Sequence, residues 1–468
     1  MKTILKLFDS ESRSKKELRP HDGRTLRMYT CGPTIYDFAH IGNFRTYVVE
    51  DLLRRTLRFF GYNVCQVMNL TDVDDKTIRG AIAKKISLGA FTDPFRDAFF
   101  EDRRTLHLEE VEHYPAATDY IPQMIAMVQK LLDSGHAYRS SNGSIYFSIR
   151  SFPTYGRLSH LTLEELQVNA SGQNEADEYE KDNLADFVLW KAYDATRDGD
   201  IFWESPFGPG RPGWHIECSA MATALLGKTV DLHCGGVDNL FPHHENEIAQ
   251  SECFTGCCFS HHWLHVEHLL VEHRKMSKSL GNFFTLRDLL KKGYRGVELR
   301  YQLLSVHYRV QLNFTFAGLD AARASIRRIE DFVRRLRALS EEGGTIPTER
   351  LQQTRELFTS ALADDLNISV ALAVLFDLIR DIHSLCDQNL LSAEGARAVL
   401  DLLESFDQVL AIMPEEEEIS EDLRQLLEER ESARKAKDFR RSDQLRDAIH
   451  ARGYAIDDTP KGAQLRRI

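Results

Sequence analysis

Residues 26–72 contain "LRMYTCG" (Leu26–Gly32), "NFRTYVVEDLLRRTLRFFGY" (Asn43–Tyr62) and "NVCQVMNLTD" (Asn63–Asp72). The first and last are short apolar runs. The middle stretch has helical periodicity and is closed by Gly61. Strand, helix and strand in that order predict a βαβ unit, the seed of a doubly wound parallel sheet. Such sheets bind ligands outside the carboxyl ends of their strands, and Cys31 falls at the end of the first run.

Outward from this unit, residues 95–165 read as helical and then loop-rich. "ASGQNEADEYEKDN" (Ala170–Asn183) is polar and aperiodic, which predicts an exposed loop. From "DFVLWK" (Asp186–Lys191) to "GPGRPGWHIEC" (Gly208–Cys218), glycine and proline mark a turn-rich return to the sheet. A second α/β half follows through "KTVDLHCGG" (Lys228–Gly236). Beyond residue 285 the pattern is helical, broken at "EEGGTIPTE" (Glu341–Glu349) and at a linker, "PEEEE" (Pro414–Glu418). The expected architecture is α/β: a split Rossmann-like, doubly wound parallel-sheet domain with an insertion, then a helical bundle and a small terminal unit. Its halves span 1–115 and 206–285 around an insertion at 116–205. Linking helices occupy 286–325, the bundle 326–415 and the terminal unit 416–468. No internal repeat is present.

A chain of 468 residues is expected to divide into two to four domains. With 43% hydrophobic and 28% charged residues the composition is globular, and no apolar run is long enough for a membrane span. The N-terminal "MKTILKLFDSESRSKKELRP" turns charged too soon for a secretory signal, so cytoplasmic residence is expected. A net charge of −12 disfavours indiscriminate polyanion binding while leaving room for a local basic face. Eight cysteines dispersed through such a chain are thiols or metal ligands rather than a disulfide framework.

"NLFPHHENEIAQ" (Asn239–Gln250) puts His243 and Glu247 four residues apart, on one helical face, with Pro242 suited to the first turn. With Cys218 and Cys31 they would form a four-coordinate set of two sulfurs, a nitrogen and an oxygen, which zinc accepts and magnesium or calcium does not favour. Spacing alone leaves an equal alternative, in which both cysteines are buried packing and the His/Glu pair is a solvated helix face. A second group, Cys253, Cys257, Cys258, His261 and His262, matches no zinc ribbon or finger and reads as packing.

"YDFAHIGNFRTY" places His40 at a glycine-containing turn before the first helix, where free N–H groups and the helix dipole attract phosphate. "HRKMSKSLGNFF" (His273–Phe284) is a loop bearing Lys275 and Lys278, able to neutralise charge as pyrophosphate departs. "HIGN" and "KMSKS" resemble the paired signatures of class I aminoacyl-tRNA synthetases. "MYTCGPTIYDFAHIGN", "NLTDVDDK", "GRPGWHIECSAM", "GGVDNLFPHHENEIAQ" and "KMSKSLGNFF" together resemble the cysteinyl-tRNA synthetase family, in order, from about residue 25 to the C-terminus.

The resemblance implies one zinc ion held by Cys31, Cys218, His243 and Glu247, whose task is to hold the thiolate of the substrate cysteine. An apolar pocket separates cysteine from serine only modestly, whereas a zinc–thiolate bond has a much weaker hydroxyl counterpart. By matching positions, Thr71, Trp214 and His233 would line the cysteine pocket, and Asp238 would lie on the adenosine side. His40 and Asn43 would attend the triphosphate, with Lys278 on ATP and Lys275 in support. The implied reaction joins L-cysteine and ATP, with Mg2+, to give cysteinyl-adenylate and pyrophosphate. The cysteinyl group then passes to the terminal adenosine of tRNA(Cys). The bundle would contact tRNA and the terminal unit its anticodon, with the protein a monomer that has no membrane partner.

Three positions depart from the family pattern. Asn43 stands where the class has a second histidine, Cys234 where glycine is common, and Leu465 where tryptophan is common. A cysteine ligase that acts on an amino sugar in mycothiol synthesis shares the signatures but lacks most of the C-terminal region. Here residues 430–468 carry an excess of basic over acidic side chains, including Arg434, Lys435, Arg440 and Arg441, as phosphate contacts require. A non-catalytic RNA-binding protein would not need Lys275, Ser277, Lys278 and Ser279 together. "HHENE" lacks the His-Glu-x-x-His arrangement of zinc hydrolases.

Overall fold

The structure is a computed structural model describing residues 4–162, 186–339, 344–414, 420–459 and 462–467. The polar run Ala170–Asn183 lies outside the described residues, as do Glu415–Glu418 of the linker and 341–343 of the breaker.

The βαβ unit consists of β1 (Thr25–Thr30), α1 (Ile41–Phe59) and β2 (Asn63–Met68). β1 and β2 pair in parallel from Thr25 opposite Asn63 to Thr30 opposite Met68. Alternation sends Leu26 and Met28 into the core shared with Ile41, Phe44, Val48 and Leu52 of α1. Tyr29 and Cys31 join a second core on the other side. The later half contributes α2 (Trp214–Leu226), β3 (Leu232–Gly236), α3 (Glu245–Thr255) and β4 (Trp263–Val266). The sheet order is β4-β3-β1-β2, every pair parallel. Strand order therefore reverses between β1 and β3, and a crevice opens there at the carboxyl ends of the strands.

The inserted segment builds its own antiparallel sheet from Ala137–Arg139, Ile145–Phe147, Phe187–Ala192 and Gly210–Pro212. "DFVLWK" thus belongs to the inserted sheet, whose last strand, Gly210–Pro212, lies beyond residue 205. Trp190 pairs with Ile145 on one side and Pro212 on the other, so its ladder is satisfied locally. The return comes later, through α2. Asp75 accepts from Lys191 Nζ at 2.8 Å and also binds Arg211, which fastens the inserted sheet to the helix Asp75–Lys84 beyond β2.

After β4 the chain forms a small sheet in which Leu269–Val271 lies between Arg274–Lys275 and Leu312–Phe314. Four long helices follow: Phe316–Arg337, Thr348–Ala363, Ile368–Asp387 and Ala393–Leu410. Phe358 and Phe406 stack between them with ring centroids 3.8 Å apart. The fully buried Arg300 joins this bundle to α1, donating to Leu410 O at 2.7 Å and to Asp51 Oδ2 at 2.5 Å. Pro414–Ile468 is a separate compact unit. Within it, helices Glu421–Lys435 and Phe439–His450 pack together, and an antiparallel hairpin sets Ile456 opposite Leu465. Among the described residues no helix is long and apolar enough to cross a membrane.

Candidate active site

The switch point collects side chains from four elements. Cys31 follows β1, His233 lies in β3 and Cys218 in α2. Phe241 is extended (φ −138°, ψ 133°), so the helical course restarts at Pro242 and runs into α3. His243 and Glu247 are thus one turn apart, and His243 Nε2 lies 2.9 Å from Glu247 Oε1. The ligand atoms of Cys31, Cys218, His243 and Glu247 all lie within 4.8 Å of one another, and all four residues are buried. Cys31, His233, His244 and Glu247 form a second, overlapping set by the same measure.

Partners behind the cluster fix its orientation. Glu247 Oε2 meets His233 Nε2 at 3.0 Å, and His243 Nδ1 meets His215 Nδ1 at 2.9 Å. His244 approaches Cys31 Sγ at 3.3 Å through Nε2 and His265 at 2.8 Å through Nδ1. Trp214 stacks on the His243 ring at 4.3 Å. Gly32 is obligatory after Cys31, because a Cβ there would lie 1.8 Å from the Asn69 carbonyl oxygen. Cys234 points to the opposite face of β3 from His233, into the core with Leu232 and Leu264.

The charge states suit a cation. Burial pushes the Cys31 thiol well up, while the hydrogen bond from Cys31 brings Cys218 down to about 6. Burial opposes the charge of Glu247, but His233 and His243 outweigh it and hold the carboxyl at about 2. Burial also opposes protonation of His243, yet Glu247 and Cys218 raise it to about 10. Cys218 and Glu247 are thus both disposed to carry negative charge in the buried cluster. Two sulfurs, an imidazole and a carboxylate are donors that fit zinc.

A cavity of about 570 Å³ reaches this cluster at Cys31. Cys31, Gly32 and Trp214 line one part of it, and His40, Asn43, Asp238 and Lys275 another. His40 is the N-cap of α1. Its Nδ1 accepts the Asn43 backbone N–H at 3.1 Å, and Asn43 Oδ1 accepts the His40 N–H at 3.1 Å. Burial presses His40 down to about 4 against the pull of Asp238, so its ring is neutral at pH 7. Since Nδ1 accepts, Nε2 carries the proton and is the available donor. Gly42 lies beneath that ring: a Cβ would meet His40 Nδ1 at 2.9 Å and Met276 at 3.1 Å.

Thr71 is buried and accepts from Asn69 Nδ2 at 3.2 Å. Lys278 is exposed at the loop tip, ion-paired with Asp37. The structure thus brings Cys31, Cys218, His233, His243 and Glu247 together, with Trp214 stacked upon them. His40, Asn43, Asp238 and Lys275 share the adjoining cavity. Sequence reasoning missed His215, His244 and His265 behind the cluster, and Asp37 and Lys76 in the cavity wall. Asp37 and Lys76 stand inside motifs already singled out, but nothing in their spacing predicts that they line one cavity.

Residues 17–324 match the family described as tRNA synthetases class I (C) catalytic domain. Residues 357–413 match the DALR domain, and 416–466 the cysteinyl-tRNA ligase anticodon binding domain. The chain is 56% identical over 467 residues to a cysteine–tRNA ligase of Protochlamydia amoebophila, covering 99% of this chain and 98% of that one. It is 54% identical over 474 residues to a cysteine–tRNA ligase of Chlamydia muridarum, covering 99% of each. Among solved structures it is similar in fold to Mycobacterium tuberculosis methionyl-tRNA synthetase in complex with methionyl-adenylate. That likeness has a TM-score of 0.58 at 13% identity, over 83% of this chain and 88% of the other.

A parallel sheet with its cavity at the switch point, followed by helical domains, is the fold of a class I aminoacyl-tRNA synthetase. The matched catalytic and anticodon-binding domains narrow the class further. The chain belongs to the cysteine–tRNA ligase family, whose members aminoacylate tRNA(Cys).

Proposed function

We propose that the buried cluster selects cysteine through one zinc ion held by Cys31, Cys218, His243 and Glu247. The observation that carries this is the convergence of those four ligand atoms within 4.8 Å, with Cys31 of the four lining the cavity. This set is favoured over the overlapping one because it holds both thiols, including the readily ionised Cys218. Zinc, when bound, supplies a Lewis acid that prefers the thiolate of cysteine to the hydroxyl of serine. Discrimination of that kind at binding removes the need for a separate editing site.

The chain's own residues do the rest. Thr71, Trp214 and His233 shape the amino-acid end of the site, His233 by holding Glu247 in place. Asp238 serves the adenosine side, and His40 and Asn43 meet the triphosphate that arrives with Mg2+. Lys278 neutralises charge on the departing pyrophosphate, with Lys275 in support. The cysteine carboxylate is already an anion, so attack on the α-phosphate calls for positioning and charge stabilisation rather than a strong base. The cysteinyl-adenylate then yields its acyl group to the terminal adenosine of tRNA(Cys). In this reading residues 1–115 and 206–285 make the catalytic domain and 116–205 its insertion. Helices of 286–325 lead to a tRNA-binding bundle at 326–415 and an anticodon unit at 416–468. The protein works as a cytoplasmic monomer.

Charging of tRNA(Cys) by purified protein with ATP and Mg2+, with serine as a parallel amino acid, tests the reading. Incorporation of cysteine alone is expected. Equal incorporation of serine would contradict selection through a thiolate.

A further inference from the structure

The loop bearing Lys278 is tethered at both ends. Upstream, Arg274–Lys275 pairs with Leu270–Val271, and downstream the Ile41 N–H donates to Phe284 O at 3.0 Å. Between these anchors the loop folds on itself. Asn282 Oδ1 accepts the Ser277 N–H at 2.9 Å, Ser277 and Ser279 hydroxyls meet at 2.9 Å, and Gly281 turns with φ +66°. The tip is therefore one hydrogen-bonded unit, flanked by Lys275, Met276 and Phe283 of the cavity wall. Its Lys278 ammonium binds the Asp37 carboxylate and lies 5.1 Å from the centre of the Phe283 ring. Phe283 in turn meets His40 edge to face at 5.3 Å. Asp37 lines the cavity three residues before His40, its other carboxylate oxygen held by the Phe38 N–H at 2.9 Å.

We propose that Asp37 is a positioning residue that parks Lys278 at the cavity rim in the nucleotide-free protein and surrenders it to the phosphates of ATP. The proposal rests on the reading of Lys278 as an ATP ligand. An ammonium held by one carboxylate in solvent is held weakly, and a polyphosphate arriving in the same cavity offers several anionic oxygens. The carboxylate therefore competes with ATP for the same cation, and apparent affinity falls by the fraction of molecules in which Lys278 is engaged. Asp37 keeps the loop near its working place without locking it there. Its side chain raises the affinity of Lys278 for its proton, so the lysine is fully charged when the nucleotide enters.

The test is a cycle of Asp37→Asn, Asp37→Glu, Lys278→Ala and the double variant Asp37→Asn/Lys278→Ala, read by cysteine-dependent exchange of pyrophosphate into ATP. Asp37→Asn should lower KM for ATP about two- to fivefold, the range a surface ion pair supplies, with the effect on KM rather than kcat. Asp37→Glu should restore the parent KM. In the Lys278→Ala background, Asp37→Asn should change nothing. Without ATP, trypsin should cleave after Lys275 or Lys278 faster in Asp37→Asn than in the parent. An equal drop in KM with and without Lys278 would make Asp37 a general field effect and overturn the proposal. An unchanged KM in Asp37→Asn, with Lys278→Ala impaired, would overturn it while leaving the role of Lys278 intact. Parent kinetics in Lys278→Ala would overturn the underlying reading and the latch together.

Discussion

His40 and Asn43 cap the first turn of α1 reciprocally, each side chain accepting the other's backbone N–H at 3.1 Å. The asparagine that stands where the class pattern has a second histidine therefore closes a capping box. It uses its carbonyl oxygen for the helix and keeps its amide donors for the cavity it lines.

Asn43→Ala should remove the acceptor of the His40 N–H while leaving the bond from its own backbone N–H to His40 Nδ1, at a cost of about 0.5–1.5 kcal/mol seen as a lower Tm. Because the cap orients His40, KM for ATP should rise as well. Asn43→Asp keeps the acceptor and should restore Tm, yet it puts negative charge beside the triphosphate and should still raise KM. Recovery of both quantities in Asn43→Asp would contradict placement of this side chain at the phosphates.

The pH dependence of His40 has a definite sign. Its folded value of about 4 lies below the ordinary imidazole value of 6.5. The unfolded chain therefore binds more protons between these values, and stability is lost as pH falls from about 6.5 towards 4. Above pH 6.5 the group costs nothing. His40→Gln should lose less Tm than the parent over that window and run parallel to it from pH 7 to 8. A parent protein that gains stability relative to His40→Gln on acidification would show a charged, paired His40 instead.

Lys278→Ala should slow adenylate formation more than it weakens cysteine binding, because the lysine serves the nucleotide end of the cavity. Rapid-quench measurement of adenylate at saturating cysteine separates the two effects. Equal activation rates in variant and parent would remove Lys278 from the chemistry.

Arg300→Leu should be severely destabilising. It leaves Asp51 Oδ2 and the Leu410 and Leu106 carbonyls without the guanidinium that now bonds them. Removing one partner of a buried pair costs about 3–5 kcal/mol. A Tm within a degree or two of the parent would show that water or Arg55 replaces it.

Much of this was legible in the chain, for reasons that differ by element. The βαβ unit announced itself because "NFRTYVVEDLLRRTLRFFGY" keeps a helical apolar stripe between two extended runs, and each strand is buried by a neighbour close in sequence. His243 and Glu247 could be paired because helical spacing is local. The partnerships His215 to His243 and His244 to His265 were not legible, since they depend on β4 and α2 arriving at one place. The strand at Phe187–Ala192 is not legible from glycine and proline density, which marks turns but does not name the strands between them or their partners. Asp37 is not legible either, since a carboxylate in a loop reads as surface until the loop opposite brings a lysine to it.

If Cys31, Cys218, His243 and Glu247 hold zinc and zinc holds the cysteine thiolate, loss of one ligand should remove metal and substrate preference together. The most direct measurement is the zinc content of the parent and of Cys218→Ser, with equilibrium binding of cysteine and serine to the same preparations. One zinc per parent chain, binding of cysteine over serine, and loss of both metal and preference in Cys218→Ser are expected. A variant that keeps stoichiometric zinc and parental affinity for cysteine would contradict it.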